Sequence, residues 1–442
     1  MGILRTEREL ARRLLTDPAL HSLPIVFLND KIYAVALDEA LTFLAAPMSS
    51  SCSTNSSISP KSVQPSKRAW IFRLGSSLLG KIALWLFRIA PARTHNDLMM
   101  CLRHGKRVIR ALLSPSSDTD SNLSPPKQVA NFSLIVHPSG DDILWTCGHY
   151  SHCIPLRSIA EEKRRHGFSV AAICYDLIRI RNPQWNPQDM AADIFVANTI
   201  DLLDSADTIF CISDYVLADL RKFAAEVGRS PPRLRRITLG SDMVSRQYKA
   251  DKPVRPFPEC YAIAVGTVEP RKNYGLLIRV WQKLSSDSRF HMHLIIVGKQ
   301  GYQAETSVDE IQSATNLDTK IHWLQDIPDS ELKQLYQGAQ VLLYPSLDEG
   351  WGLPVAEALS VGCPVISSDR GALPEAGHGL STLLDPLDDR AWEIAIREAM
   401  QSNVRNLPPA SMPTWDDAAN SLRAEMSAIF VSPKGFNESS TT

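Results

Sequence analysis

Residues 341–367 constrain the fold more than any other stretch of the chain. The apolar run Val341 to Tyr344 predicts a buried strand, and it ends in a loop that holds Glu349, Gly350 and Gly352. A helix is expected to start near Pro354 and to carry Glu357, and Pro364 to Ser367 reads as a second buried strand. Strand, glycine loop, helix and strand make a βαβ unit, and in open α/β sheets ligands gather at the carboxyl ends of the strands. Glu349 and Glu357 stand eight positions apart, one in the loop and one a turn into the helix. That pair suits a ligand with hydroxyls at two places. The backbone N–H groups of Gly350, Trp351, Gly352 and Leu353 suit an anion between them, because a helix start offers unpaired donors at a positive dipole end.

At 442 residues the chain is too long for one ordinary core, so two domains are expected. A net charge of −1 gives no support for nucleic acid as a partner. No uncharged apolar run reaches the length of about 18 residues that a spanning helix needs. The charged start Met1–Leu10 does not read as a secretory signal, and none is expected. The eight cysteines are scattered without paired spacing, and Cys174 and Cys211 sit in apolar runs. That usage fits reduced thiols in a cytoplasmic protein.

Residues 5–16 have helical periodicity, and Pro24–Asn29 and Lys31–Ala36 read as short strands. Residues 47–66 and 114–126 are rich in Ser and Pro and read as linkers. Between them, residues 67–110 carry ten Lys and Arg against one acid, Asp97, interleaved with Trp70, Phe72, Trp85 and Phe87. That composition suits an anionic membrane surface; the plain alternative is a solvated helical hairpin or a basic loop. A βα alternation resumes at residue 131, with strands expected at Phe132–His137, Ile143–Thr146, Val170–Tyr175, Thr208–Ser213 and Arg235–Leu239. The proline run Lys252–Pro258 cannot be helical and reads as an interdomain linker. A second series follows, with strands at Tyr261–Val265, His293–Val297, Lys320–Trp323, Val341–Tyr344, Val365–Ser367 and Ser381–Leu384. The expected class is α/β: two Rossmann-like, doubly wound parallel-sheet domains facing a cleft. Residues 1–250 form the first, with a basic insert at 47–128; residues 251–412 form the second; residues 413–431 are a closing helix that returns to the first.

The first strand of the second series runs into Gly266-Thr-Val-Glu-Pro-Arg-Lys-Asn273. Arg271 and Lys272 in a strand-to-helix loop make a diphosphate clamp, since Arg holds two phosphate oxygens while Lys acts as a point charge. The alternative is a solvated basic pair. The carboxylate loop after a later strand of the same series favours the clamp, because parallel strands bring both loops to one sheet edge.

Gly266–Asn273, Val297-Gly-Lys-Gln-Gly-Tyr302 and Glu349-Gly-Trp-Gly-Leu-Pro354 through Glu357 together resemble the family 4 retaining glycosyltransferases of GT-B fold. The resemblance covers residues 130–430 well and the first 45 more faintly. It implies that Arg271 and Lys272 hold the diphosphate of a nucleotide sugar, that Glu357 accepts from the ribose hydroxyls, and that Glu349 meets the hydroxyls of the transferred sugar. It places the amides of Trp351, Gly352 and Leu353 toward the sugar and β-phosphate, and Gly266, Gly298 and Lys299 along the nucleotide. Asp176, at the end of an expected strand, is either a cleft residue or a cap. Glu375 reads as the start or stop of a helix. The cluster Cys147–Cys153 is not read as a metal site, since seven adjacent residues do not easily wrap an ion, and His149, after an expected strand of the same sheet, reads as a cleft residue.

Gly2–Arg5 resembles the glycine loop that precedes the first helix of the family. Relatives place a strand before that loop, so a gap or an unpaired strand is expected there, at a cost in backbone hydrogen bonds. No metal is expected: the only Asp-x-Asp triplet, Asp118-Thr-Asp120, lies in a Ser-rich linker. No cofactor is expected beyond the nucleotide diphosphate sugar as co-substrate. The implied reaction moves a hexose, with mannose favoured, to a glycan or lipid-linked glycan. A catalytically silent membrane-peripheral scaffold and a nucleotide-sugar epimerase of the same fold are the alternatives.

Overall fold

Runs such as Tyr261-Ala-Ile-Ala-Val265 and His293-Leu-Ile-Ile-Val297 have almost no polar face. They are stable only with both faces covered, as in a parallel sheet between helices. The computed structural model describes residues 2–16, 25–28, 31–34, 40, 135–136, 138, 142–146, 156–185, 192–243, 260–316, 320–402 and 409–431. In chain order the strands are β1 (Ile25–Leu28), β2 (Lys31–Ala34), β3 (Ile135–Val136), β4 (Ile143–Thr146), β5 (Ser169–Cys174), β6 (Thr208–Cys211), β7 (Arg233–Arg236), β8 (Tyr261–Val265), β9 (His293–Val297), β10 (Ile321–Leu324), β11 (Val341–Tyr344), β12 (Val365–Ser368) and β13 (Thr382–Leu384).

The chain divides into two compact units, residues 23–137 and residues 1–22 with 138–442. In the first, β1 and β2 form an antiparallel hairpin, and β3 joins β2 antiparallel. The Ser-rich and basic stretch 47–128 lies outside the described residues. The second unit holds two wholly parallel sheets, ordered β4-β5-β6-β7 and β10-β9-β8-β11-β12-β13. This is the doubly wound α/β architecture expected from the two βα series.

The six-stranded sheet reverses direction between β8 and β11. From β8 the chain winds outward through β9 and β10, then returns to start β11 on the other side. Loops leaving β8 and β11 diverge at such a switch point and leave a crevice there. The core beneath is closed by Trp281 and Trp392, both wholly buried. Each indole donates to a backbone carbonyl, Trp281 to Met292 at 3.2 Å and Trp392 to Asp385 at 3.0 Å. Phe290 meets Trp281 edge-on at 5.6 Å.

Two expectations shift. The first helix spans Gly2–Leu15, so Gly2 begins a helix and is not part of a loop. Its buried face, Thr6, Leu10 and Leu14, recurs at helical spacing, and Arg13 pairs with Asp416 of the last helix, Trp415–Val431. The strand expected at Arg235–Leu239 is β7, two residues earlier and rich in arginine. Ile237 and Leu239 are buried but lie beyond the ladder. The last helix lies against the end of the same segment: the Trp415 amide donates to Asp242 at 2.6 Å.

The loops after β8 and β9 stay zipped past the sheet, with the Val268 amide donating to the Lys299 carbonyl at 2.8 Å. A Cβ on Gly298 would lie 1.8 Å from the Gly266 carbonyl oxygen, and backbone on both sides leaves nothing free to yield. Gly298→Ala is therefore expected to destabilise the protein by about 2–3 kcal/mol in urea denaturation, the cost of overpacking a close backbone approach. An unchanged midpoint contradicts this packing.

Candidate active site

The crevice at the switch point is flanked by two loops with complementary charge. After β8, Gly266 (φ 151°) leads to a 3-10 turn, Pro270–Lys272, and Asn273 in the left-handed region (φ 54°) turns the chain into the helix Tyr274–Ser285. The turn aims Arg271 and Lys272 toward the loop after β11. There Arg271 Nη1 lies 2.8 Å from Glu349 Oε2, and Lys272 pairs with Glu349 Oε1. Ser346 and Tyr344 also donate to Oε1, at 2.7 and 3.1 Å. Arg271 further donates to the Asp348 carbonyl at 2.7 Å and to Glu269 at 2.6 Å. Lys272 donates to the Tyr344 hydroxyl at 2.6 Å.

Glu349 is buried, and burial alone pushes its carboxyl upward. Arg271 and then Lys272 overcome that and hold it at about 2. Burial draws Lys272 downward against the pull of Glu349. The guanidinium of Arg271 stays charged, so the cluster keeps an ionised carboxylate between cations. Asp348, beside it, is raised to about 6 by burial, despite accepting from Tyr215.

Glu357 is buried on the helix Leu353–Ser360. Its Oε1 pairs with Arg5 of the first helix, and its Oε2 accepts from Tyr336 at 3.4 Å. Arg5 also pairs with Asp329. Between the glutamates, the amides of Gly350, Trp351, Gly352 and Leu353 donate to no acceptor among the described residues. Gly352 (φ 121°) makes this turn, and a Cβ there would strike Leu373. Trp351 is buried edge-on to His378 at 6.2 Å, and its indole nitrogen has no partner among the described residues.

The structure brings Arg271, Lys272, Glu349, Gly350 and Asp176 together. Asp176 follows β5 of the four-stranded sheet; its side chain accepts from the Ile178 amide at 3.1 Å. It thus caps the short helix Ile178–Arg181 while burial raises its pKa, with Arg271 as the opposing charge. Gly350 sits so close that an added Cβ would lie 2.3 Å from the Tyr175 carbonyl oxygen. Lys299 is more peripheral and pairs with Asp326 at 2.6 Å. Gly298 lies behind the β8 loop. Gly2 is helical and the side chains of residues 2–4 are not described; His149 and the cluster around it lie outside the described residues. Sequence reading missed Arg5 and Asp348. For Arg5 a signal existed: a cation beside the buried stripe of an amphipathic helix.

Residues 247–409 match the family model described as "Glycosyl transferases group 1". Among curated proteins, the chain is 28% identical over 256 residues to "O-antigen chain mannosyltransferase B" of Escherichia coli, covering 55% of this chain and 66% of that protein. It is 28% identical over 244 residues to "Serotype-specific mannosyltransferase WbdA" of Escherichia coli, covering 52% of this chain and 30% of that protein. It is 33% identical over 162 residues to "O-antigen chain mannosyltransferase RfbU" of Salmonella typhimurium, covering 37% and 43%. The chain thus spans less than two thirds of these relatives' lengths. Among solved structures, a sucrose-phosphate synthase from Thermosynechococcus elongatus superposes with a TM-score of 0.50 at 20% identity, over 62% of this chain and 71% of that one. That likeness is one of fold. Through residues 247–409 the chain is accordingly similar to the glycosyl transferases group 1 family, and its two parallel-sheet halves have the GT-B architecture.

Proposed function

We propose that this chain transfers a hexose, mannose in the favoured reading, from a nucleotide diphosphate sugar to a glycan or lipid-linked glycan, with retention of configuration and without a metal ion. One observation carries the reading: two cations from the loop after β8 converge on a buried carboxylate from the loop after β11, across the switch point. The mannosyltransferase names of the similar proteins support the sugar.

In this reading the donor's diphosphate lies against Arg271, Lys272 and the amides of Gly350 to Leu353. As the bond from the anomeric carbon to the phosphate oxygen lengthens, electrons move to that oxygen, and fixed positive groups stabilise the charge as it grows. The acceptor hydroxyl attacks the same face, and the departing phosphate oxygen takes its proton. The cations turn from Glu349 to the phosphates, and Glu349 then meets the sugar hydroxyls. Glu357 exchanges Arg5 for the ribose hydroxyls. The half that carries Asp176 and His149 serves the acceptor. The basic stretch 67–110 serves as contact with an anionic membrane from the cytoplasmic side; among the described residues no helix is long and apolar enough to cross a membrane.

Glu349→Gln is expected to lower kcat by about a hundredfold or more, the scale of losing one electrostatic contact to the transition state. Circular dichroism should show the variant still folded. Wild-type turnover in that variant removes Glu349 from the site. Thermal scans with a panel of nucleotide sugars should raise Tm most for GDP-mannose, since a ligand bound only by the folded state stabilises it. No shift with any nucleotide sugar contradicts the reading.

The charge cluster also sets a pH dependence. Glu349 titrates near 2 when folded, below its ordinary 4.5, so its stabilisation is complete above 4.5 and is lost as pH falls toward 2. The stability gap between wild type and Glu349→Gln is expected to be widest at neutral pH and to narrow below 4.5, as read from denaturation at each pH. A gap that is constant with pH contradicts an ion-paired Glu349.

A further inference from the structure

A carboxylate outside the donor crevice joins the two parallel sheets. Glu375 lies on the short helix Leu373–Ala376, after β12. Its Oε2 accepts from the Asp214 amide and its Oε1 from the Tyr215 amide, both at 2.8 Å. Those amides open the helix Asp214–Glu226, which follows β6 in the other sheet. First-turn amides have no acceptor within their own helix, and the positive end of a helix favours a carboxylate. Ser213 caps the same helix locally by accepting from the Val216 amide at 3.1 Å. The two donors before it are therefore satisfied from the far half of the molecule. Arg236, at the end of β7, adds weaker pairs to Asp214 and Glu375 at 3.4 and 3.9 Å.

Two residues of that helix start also hold the neighbours of Glu349. Ser213 donates to the Gly350 carbonyl at 2.8 Å, and the Tyr215 hydroxyl donates to Asp348 at 3.1 Å. Asn182 donates to the other oxygen of Asp348 at 2.9 Å. From behind, the segment leading to Glu375 holds the loop: the Ala372 amide donates to the Glu349 carbonyl at 2.9 Å. A Cβ on Gly371 would lie 2.6 Å from the Glu349 nitrogen. The Glu349 loop is thus held between the start of one helix and the carboxylate that caps it.

We propose that Glu375 is a positioning residue for group transfer: by capping the helix Asp214–Glu226 across the two sheets, it fixes the Glu349 loop where Arg271, Lys272 and Glu349 meet. It touches no substrate. The kinetic side of this inference rests on the hexosyl-transfer reading above; the contact itself does not.

Hydrogen exchange of single amides in the full chain tests the contact. Asp214 and Tyr215 amides should exchange slowly in the wild type and at least tenfold faster in Glu375→Ala, with Val216 unchanged because Ser213 remains. Equal rates in the two proteins overturn the proposal. Kinetics tests the role. Glu375→Ala should lower kcat at least tenfold with donor KM within threefold, and Glu375→Gln, which keeps an acceptor oxygen, should recover part of the loss. Asp214→Pro removes one capped amide at a position where proline is tolerated, after Ser213 in the extended conformation (φ −156°, ψ 163°) that a residue before proline requires. Its loss should be partial, and the double variant should be no slower than Glu375→Ala. Asp214→Ala, which keeps the amide, should retain wild-type kcat. Unchanged kcat in Glu375→Ala, or losses that multiply in the double variant, overturn the positioning role. Should the wild type transfer no hexose from any donor, the transfer reading fails and the positioning role with it, while amide exchange still decides the contact.

Discussion

A carboxylate buried between two cations sets the terms for this fold. Taking Glu349 out of water costs several kcal/mol unless opposite charge accompanies it. Arg271 supplies that charge with Lys272, and both come from a different strand's loop. These charges meet only when β8 and β11 lie side by side with their carboxyl ends aligned. Pairing of Val341 with Ala262 and Leu342 with Ile263 secures that alignment. The apolar core and the polar site therefore depend on the same strand register: a slip that misplaced the core would also strand three charges. Beside the cluster stand four amides that donate to no acceptor among the described residues.

Much of the second sheet was legible because its inner strands are buried on both faces. β8, β9 and β11 are unbroken apolar runs, and their predicted bounds match the structure residue for residue. β7 was misplaced for the opposite reason. It is an edge strand with Arg233, Arg235 and Arg236, and charge at an edge keeps foreign strands from pairing there. Apolar periodicity instead marked Ile237 and Leu239, which are buried without belonging to the ladder. The helix Glu305–Asn316 went unread since only Val308, Ile311 and Ala314 are buried, too sparse a stripe among polar residues.

The site divides along the same line. Arg271, Lys272, Glu349 and Glu357 stand in two short segments whose order along the chain carries their meaning. Arg5 reaches Glu357 across 352 positions, and Glu375 reaches Tyr215 across 160. Pairings of that span leave no local spacing to read. Glu375 does govern a helix end, as its sequence context indicated, but the helix belongs to the opposite sheet. Asp348 was hidden differently: it stands beside a more conspicuous glutamate, and its partners, Asn182 and Tyr215, lie in the half built on the four-stranded sheet.

Gly350 carries a wider implication. Its α-carbon passes so near the Tyr175 carbonyl that a single methyl group has no room. At this one point the approach of the two halves is limited by main-chain atoms. Neighbouring side chains can change without shifting that stop, because it is written in the backbone.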